Sequence, residues 1–311
     1  MKIKTAYRII TVLLLASLAG GCGKDITTDL SADTPVPVRI AEVGVSAQAQ
    51  TRSVSTIAGG SMGVFRMPGN GYTGQYNSQY SYSSSSGWQP ANAGATVHVG
   101  GHDASLCAYY PHNAVTFAAN GSTCTLAAQI YNPSKDLCYA TASVMPVSSK
   151  RPQASFAMKR AYARIKLSIS RNAGSYAGAC NISDVNIRFG AGFCEGGTLD
   201  ISNGTYGPNA LTGGGWTHPL NMAIADGATN DAYDVLVLPQ PATGGLSITL
   251  TIDGQNRKVT VPEFTGGKLT AGNQYVIRLT ITDTAVIING GITVIDMATG
   301  STVQNDTPIP V

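Results

Sequence analysis

The chain has 311 residues, with 20 Lys or Arg against 17 Asp or Glu, and only 12% of residues are charged. Lys2, Lys4 and Arg8 lie in a leading segment that carries no acid, so from residue 22 onward 17 basic residues face 17 acidic ones. That balance leaves no electrostatic footprint for nucleic acid or an anionic membrane surface as partner, and 36 glycines with abundant Ser and Thr favour strands joined by tight turns.

Residues 1–21 have the three-part build of a secretory signal. Lys2, Lys4 and Arg8 are followed by an apolar core, Ile9 to Leu18, and a small-residue exit, Ala19-Gly20-Gly21. The core is shorter than the ~20 apolar residues that a membrane-spanning helix needs. Cys22 follows the exit at once, which is the pattern of a lipoprotein signal: the thiol of Cys22 takes a diacylglycerol and lipid is the membrane attachment. Residues 23–35 are a polar tether.

Val36, Val38, Ile40, Val43 and Val45 then alternate with a slip of one residue between Ile40 and Val43, predicting a strand with a bulge. Pro35 and Pro37 suit a strand at a sheet edge. Residues 46–53 form a polar connector containing Arg52. Strands are expected at 63–67, 95–99, 105–110, 115–118, 124–128 and 137–144, with an exposed loop or loose hairpin at 69–87. A long alternating run, Ala163 to Ser170, places its apolar residues on one face and its cations on the other. Further strands are expected at 185–189, 198–201, 234–238, 246–252, 258–261, 275–281, 286–288 and 292–295. No window of a dozen residues holds a 3.6-residue apolar period, so the class is all-β, of the sandwich or barrel kind. About 290 residues after the signal suggest two domains, with a boundary near residue 155 after the Pro- and Ser-containing stretch 146–155.

Five cysteines follow Cys22, an odd number, so at least one stays free or pairs between chains. Cys180 and Cys194 flank an expected strand and are the candidate disulfide. No Cys-x-x-Cys pair offers a zinc framework.

Catalytic signals are weak. Gly59-Gly-Ser61-Met-Gly63 matches the spacing of a nucleophile elbow, but a strand rather than a helix is expected after Ser61. His98 and His102 are separated by Gly100 and Gly101, which make a turn and not a metal-binding helix face. Asp226, Asp231 and Asp234 are scattered around a loop. No phosphate-cradling loop or dinucleotide fingerprint is present, so neither a cofactor nor a metal is expected, and no enzyme. Tyr72, Tyr76, Tyr80 and Tyr82 among serines could form an adaptable contact surface.

Several segments together resemble the fimbrillins of the Bacteroidales. They are Leu106-Cys-Ala-Tyr109-Tyr110-Pro111, Asp136-Leu137-Cys-Tyr139-Ala140, Phe156 to Leu167, Val235-Leu-Val-Leu238-Pro239 and Leu269-Thr-Ala-Gly272-Asn-Gln-Tyr275. Lys159 stands where that family usually has His, and Asp296-Met297 where it usually has Trp. The resemblance implies a subunit of a type V pilus built of two tandem transthyretin-like β-sandwiches, here 53–155 and 156–285. It implies export as a lipoprotein to the cell outer membrane within a propeptide, 22–52. An Arg- or Lys-specific protease would cut between Arg52 and Ser53 and remove the 36–45 strand. Other pilus subunits, in a homopolymer or mixed pilus, would fill the vacated groove with a strand from 286–311. Its candidate residues are Val286, Ile288, Ile292, Val294, Val303, Ile309 and Val311. A host or bacterial surface ligand would be the adhesion partner. The competing expectation is a surface glycan- or nutrient-binding β-sandwich lipoprotein, with Trp88, Trp216 and the 72–82 tyrosines as aromatic platforms.

Overall fold

A computed structural model describes residues 34–46, 54–207, 211–264, 266–299 and 302–306. Among them there is no α-helix, and the one helical turn is a 3-10 segment, Ala93–Ala95. The all-β class expected from the patterning is what forms.

The first half contains β1 (Val36–Pro37), β2 (Arg39–Ser46), β3 (Val54–Thr56), β4 (Ser61–Arg66), β5 (Gln75–Ser83), β6 (Gly87–Pro90), β7 (His98–Val99), β8 (Leu106–Tyr110), β9 (Thr123–Ala127), β10 (Gln129–Ile130), β11 (Cys138–Ala140) and β12 (Gln153–Arg160). One sheet runs β12-β11-β8-β4-β5-β6-β2-β3, and β2 also pairs with β12, so the sheet closes on itself. β1 pairs with β7. The Pro37 segment thus keeps the edge position its proline requires, whereas β2 has neighbours on both sides. Of the exposed loop or loose hairpin expected at 69–87, the hairpin forms, with β5 pairing β6 through Tyr82↔Trp88 and Ser83↔Gly87. It carries β5, whose Tyr80 has no exposed surface and accepts the Val97 N–H on its hydroxyl oxygen at 3.1 Å. At 115–118 no strand forms, and Phe117 makes only an isolated bridge to Cys124.

The second half contains β13 (Ala163–Arg171), β14 (Asn181–Phe189), β15 (Phe193–Cys194), β16 (Gly196–Asp200), β17 (Thr205–Tyr206), β18 (Leu211–Thr212), β19 (Trp216–Ala223), β20 (Thr229–Val237), β21 (Gln240–Pro241), β22 (Leu246–Ile252), β23 (Gln255–Val261), β24 (Lys268–Leu269), β25 (Asn273–Ile281), β26 (Val286–Ile288), β27 (Ile292–Asp296) and β28 (Thr302–Asp306). A seven-stranded sheet, β10-β20-β13-β25-β27-β28 with β26 on β25, packs against a four-stranded one, β19-β14-β22-β23. Ile165, Leu167 and Ile169 of β13 meet Val185 and Ile187 of β14 and Ile248 of β22 in one core. On the opposite face of β13, Arg164 pairs with Asp234, and Lys166 with Asp231 at 2.9 Å. This division follows from the alternation of side chains along a strand.

The halves are not independent beads. β9 pairs with β16 from Thr123↔Asp200 to Ala127↔Gly196, and β10 pairs with β20. β20 sends Val235 and Val237 into the core of its own half, while Leu236 and the adjacent Leu238 join Phe65, Tyr109, Leu126 and Tyr139 in a cluster shared by both halves. The boundary expected near 155 falls inside β12, which belongs to the first sheet.

The disulfide expected between Cys180 and Cys194 is corrected: both are free and buried. They stand at opposite ends of β14, and nine residues of strand at about 3.3 Å each hold them roughly 30 Å apart along the chain, far beyond disulfide reach.

Candidate functional site

The amino-terminal strand and its seat are the clearest functional feature. β2 runs parallel to β12, with Arg39↔Gln153 and Ile40↔Ala154, and then Glu42↔Ser155 through Val45↔Met158. The partner advances one residue while β2 advances two, so Ala41 is an extra residue, a bulge where the sequence slips. The bulge restores parity: Ile40 and Val43, three apart, both point inward. On its other side β2 pairs with β3 through Gly44↔Thr56 to Ser46↔Val54, and with β6 through Ile40↔Trp88. Backbone donors add Val38 N–H to Val97 O, Arg39 N–H to Pro152 O and Ile57 N–H to Val43 O, each at 2.8 Å.

Val38, Ile40, Val43 and Val45 are 3%, 7%, 0% and 7% exposed. They enter a core with Met62, Val64, Tyr80, Trp88, Phe156 and Met158, and Val36 packs against its margin. At about 1.5–3 kcal/mol per buried aliphatic side chain, the four supply on the order of 10 kcal/mol, an upper figure for the strand's hold. Arg39, Ala41 and Glu42 face solvent.

Cys22, Arg52 and Ser53 lie outside the described residues, as do Ile309 and Val311. Of the remaining carboxy-terminal candidates, Val286, Ile292 and Val294 are buried in the core of the second half, and Ile288 packs against it. β28, which carries Val303, is the outermost strand of its sheet and pairs with β27.

The weak catalytic signals resolve into packing. Ser61 opens β4 rather than an elbow. Gly63 makes room for the Tyr109 ring: a Cβ there would sit 2.0 Å from Tyr109 Cε1. His98 lies on β7, and the carbonyl of His102 accepts from the Tyr72 hydroxyl at 2.6 Å. Burial pushes the His112 imidazole below its ordinary pKa, and the ring stacks 5.9 Å from Tyr109. Among the described residues no group of three or more His, Cys, Asp or Glu could hold a metal ion.

Of the aromatic platforms proposed for glycan stacking, Tyr80 and Trp88 are buried, and Tyr72, Tyr76, Tyr82 and Trp216 are partly buried against the cores. Tyr76 packs on Phe65 at 6.4 Å, Tyr82 on Trp88 at 5.5 Å, and Trp216 on Phe193 at 6.0 Å. Missed at the sequence level was β12 as the strand beside β2, although Ala154, Phe156 and Met158 alternate inward.

The amino-terminal strand thus completes a closed all-β framework and supplies part of its core. A family model described as "Fimbrillin-like" matches residues 46–296, and the chain belongs to that family, one of structural fimbrial subunits and not of enzymes. The chain is 24% identical, over 90% of its length and 92% of the relative's, to the "Putative fimbrium subunit Fim1C" of Bacteroides uniformis. Its fold is shared with a solved "putative cell adhesion protein" from Bacteroides uniformis (20% identity, TM-score 0.59, covering 85% of this chain and 98% of that one). A second, from Bacteroides ovatus, matches at 13% identity and TM-score 0.56, covering 89% and 100%.

Proposed function

We propose that this chain is a structural, adhesion-supporting subunit of a cell-surface fimbrium that is delivered with its assembly groove closed by its own amino-terminal strand. One observation carries this: β2 is paired on both sides and, with Val38 just before it, buries four aliphatic side chains, yet its covalent link to the rest is the 47–53 connector containing Arg52. The resulting account has two tandem transthyretin-like sandwiches, a lipid on Cys22 that carries the precursor to the outer membrane, and an Arg- or Lys-specific protease that cuts before Ser53. Loss of 22–52 removes strand and lipid together. It leaves the edges of β12 and β3 that faced β2 unpaired and opens an apolar slot, a combination repaired by strand addition from another subunit.

The donor is best sought at 302–311. Withdrawing β26 or β27 would take Val286, Ile292 and Val294 out of the subunit's own core, at about 1.5–3 kcal/mol each. β28 leaves only one neighbour behind, and Ile309 and Val311 follow it in the sequence.

The test is to treat purified precursor with an Arg-specific protease, sequence the new amino terminus and run the product unboiled on a gel. A terminus at Ser53 and a ladder that vanishes on deletion of 302–311 are expected. A cut elsewhere, or a monomeric product, would contradict the proposal.

A further inference from the structure

The outer face of the β14–β22–β23 sheet carries a groove of about 430 Å3. Its floor is a grid set by strand register. One row is Arg188↔Ser247↔Thr260 and the next is Asn186↔Thr249↔Lys258. These six side chains alternate with Ile187, Phe189, Ile248 and Val261, which are buried on the other face, so all six point into the groove. Asn186 is already oriented: its amide donates to Thr217 Oγ1 at 2.7 Å and to Gly214 O at 3.4 Å. Arg188, Ser247, Thr249, Lys258 and Thr260 make no side-chain hydrogen bond or ion pair among the described residues.

Arg188 and Lys258 occupy opposite corners. Two strand spacings of about 4.8 Å and two residues of about 3.4 Å place their backbones roughly 12 Å apart. No Asp or Glu lines the groove, and Asp184, further along β14, accepts from the Ser183 hydroxyl at 2.8 Å. The walls are low where backbone is bare. Gly214 has nothing within 4 Å of where a Cβ would stand, and Gly244 and Gly245, both at positive φ, line the far end.

We infer that this groove binds an acidic oligosaccharide, a sugar chain bearing carboxylates or sulfates. Two cations at opposite corners of the floor, with no acid between them, suit a chain with two anionic groups. Between them lie three hydroxyls and an amide, each able both to donate and to accept, which is the complement of sugar hydroxyls. A peptide fits less well. β22, the middle of the floor, is paired along both sides, by β14 and β23, so a peptide lying in the groove between Arg188 and Lys258 meets side chains rather than a main-chain edge, and Phe189, its one large apolar residue, has no exposed surface. The site is remote in sequence from β2 and does not depend on strand release.

The test is calorimetric titration of the full chain in detergent at about 0.15 M salt, where exposed long-range attraction is screened. The probes are a heparin-derived octasaccharide for sulfates, an oligogalacturonate for carboxylates, neutral dextran and poly-glutamate. Binding of at least one acidic sugar is expected, with poly-glutamate and dextran weaker. The R188Q/K258Q variant should bind roughly tenfold or more weakly. Ser247→Tyr keeps both charges and fills the floor, and it too should lose binding. Lys135→Gln with Lys150→Gln, on exposed positions of the other half, should leave binding unchanged. The inference is overturned if neither acidic sugar binds, if poly-glutamate binds as well, if Ser247→Tyr binds like the parent, or if the control pair loses as much as the groove pair.

Discussion

Truncating Val43 to Ala measures how tightly the amino-terminal strand is seated. The side chain has no exposed surface and lies in the core with Met62, Phe156 and Trp88. Removing two carbon groups at about 0.8 kcal/mol each forfeits ~1.6 kcal/mol of burial. A residual void of about 40 Å3, at ~24 cal/mol per Å3, adds ~1 kcal/mol. The precursor should lose ~2.5 kcal/mol, which for a chain of this size is a fall in Tm of roughly 5–10 °C. Urea unfolding followed by tryptophan fluorescence is a suitable assay, because Trp88 stands across from Ile40 and reports the seat directly. Glu42→Ala, on the solvent side of the same strand, is the control and should stay within about 0.5 kcal/mol. If Val43→Ala is as mild as Glu42→Ala, the strand is not the plug described here.

Gly63→Ala should cost about 1–3 kcal/mol or more, read by the same unfolding assay, because its methyl group would overlap the fully buried Tyr109 ring. Asp253 sits at positive φ, and hydrogen bonds from the Asn181 N–H and the Tyr176 hydroxyl hold its carboxyl below the usual range. A depressed folded pKa gives stability that is present above the unfolded value of about 3.9 and lost as pH falls through the folded one. Asp253→Asn, which tolerates the left-handed backbone, should therefore be less stable than the parent at neutral pH, with the difference closing in acid. Thiol titration of the unfolded chain from Ser53 should find all five cysteines reactive without reductant, since they are free in the fold; a count of three would restore a disulfide.

What the sequence made legible was local. The alternation of β2, its slip at Ala41 and the two-faced β13 are period-2 signals that survive without tertiary knowledge. β5 was hidden because Tyr80 buries a ring behind a hydroxyl amid Ser, Asn and Gln, so polarity masked the inward face. β12 followed a stretch resembling a linker, and its partner β2 lies over a hundred residues away, a parallel pairing that no local pattern encodes. The acidic-sugar groove arises in the same way, since Arg188 and Lys258 meet only through the register of β14, β22 and β23.

The most direct test of strand exchange is native mass spectrometry of the precursor after Arg-specific cleavage. The account predicts that the fragment ending at Arg52 leaves and that the remaining chain appears as multimers, each subunit beginning at Ser53. A cleaved chain that retains its amino-terminal fragment as a stable one-to-one complex, with no multimers, would contradict it.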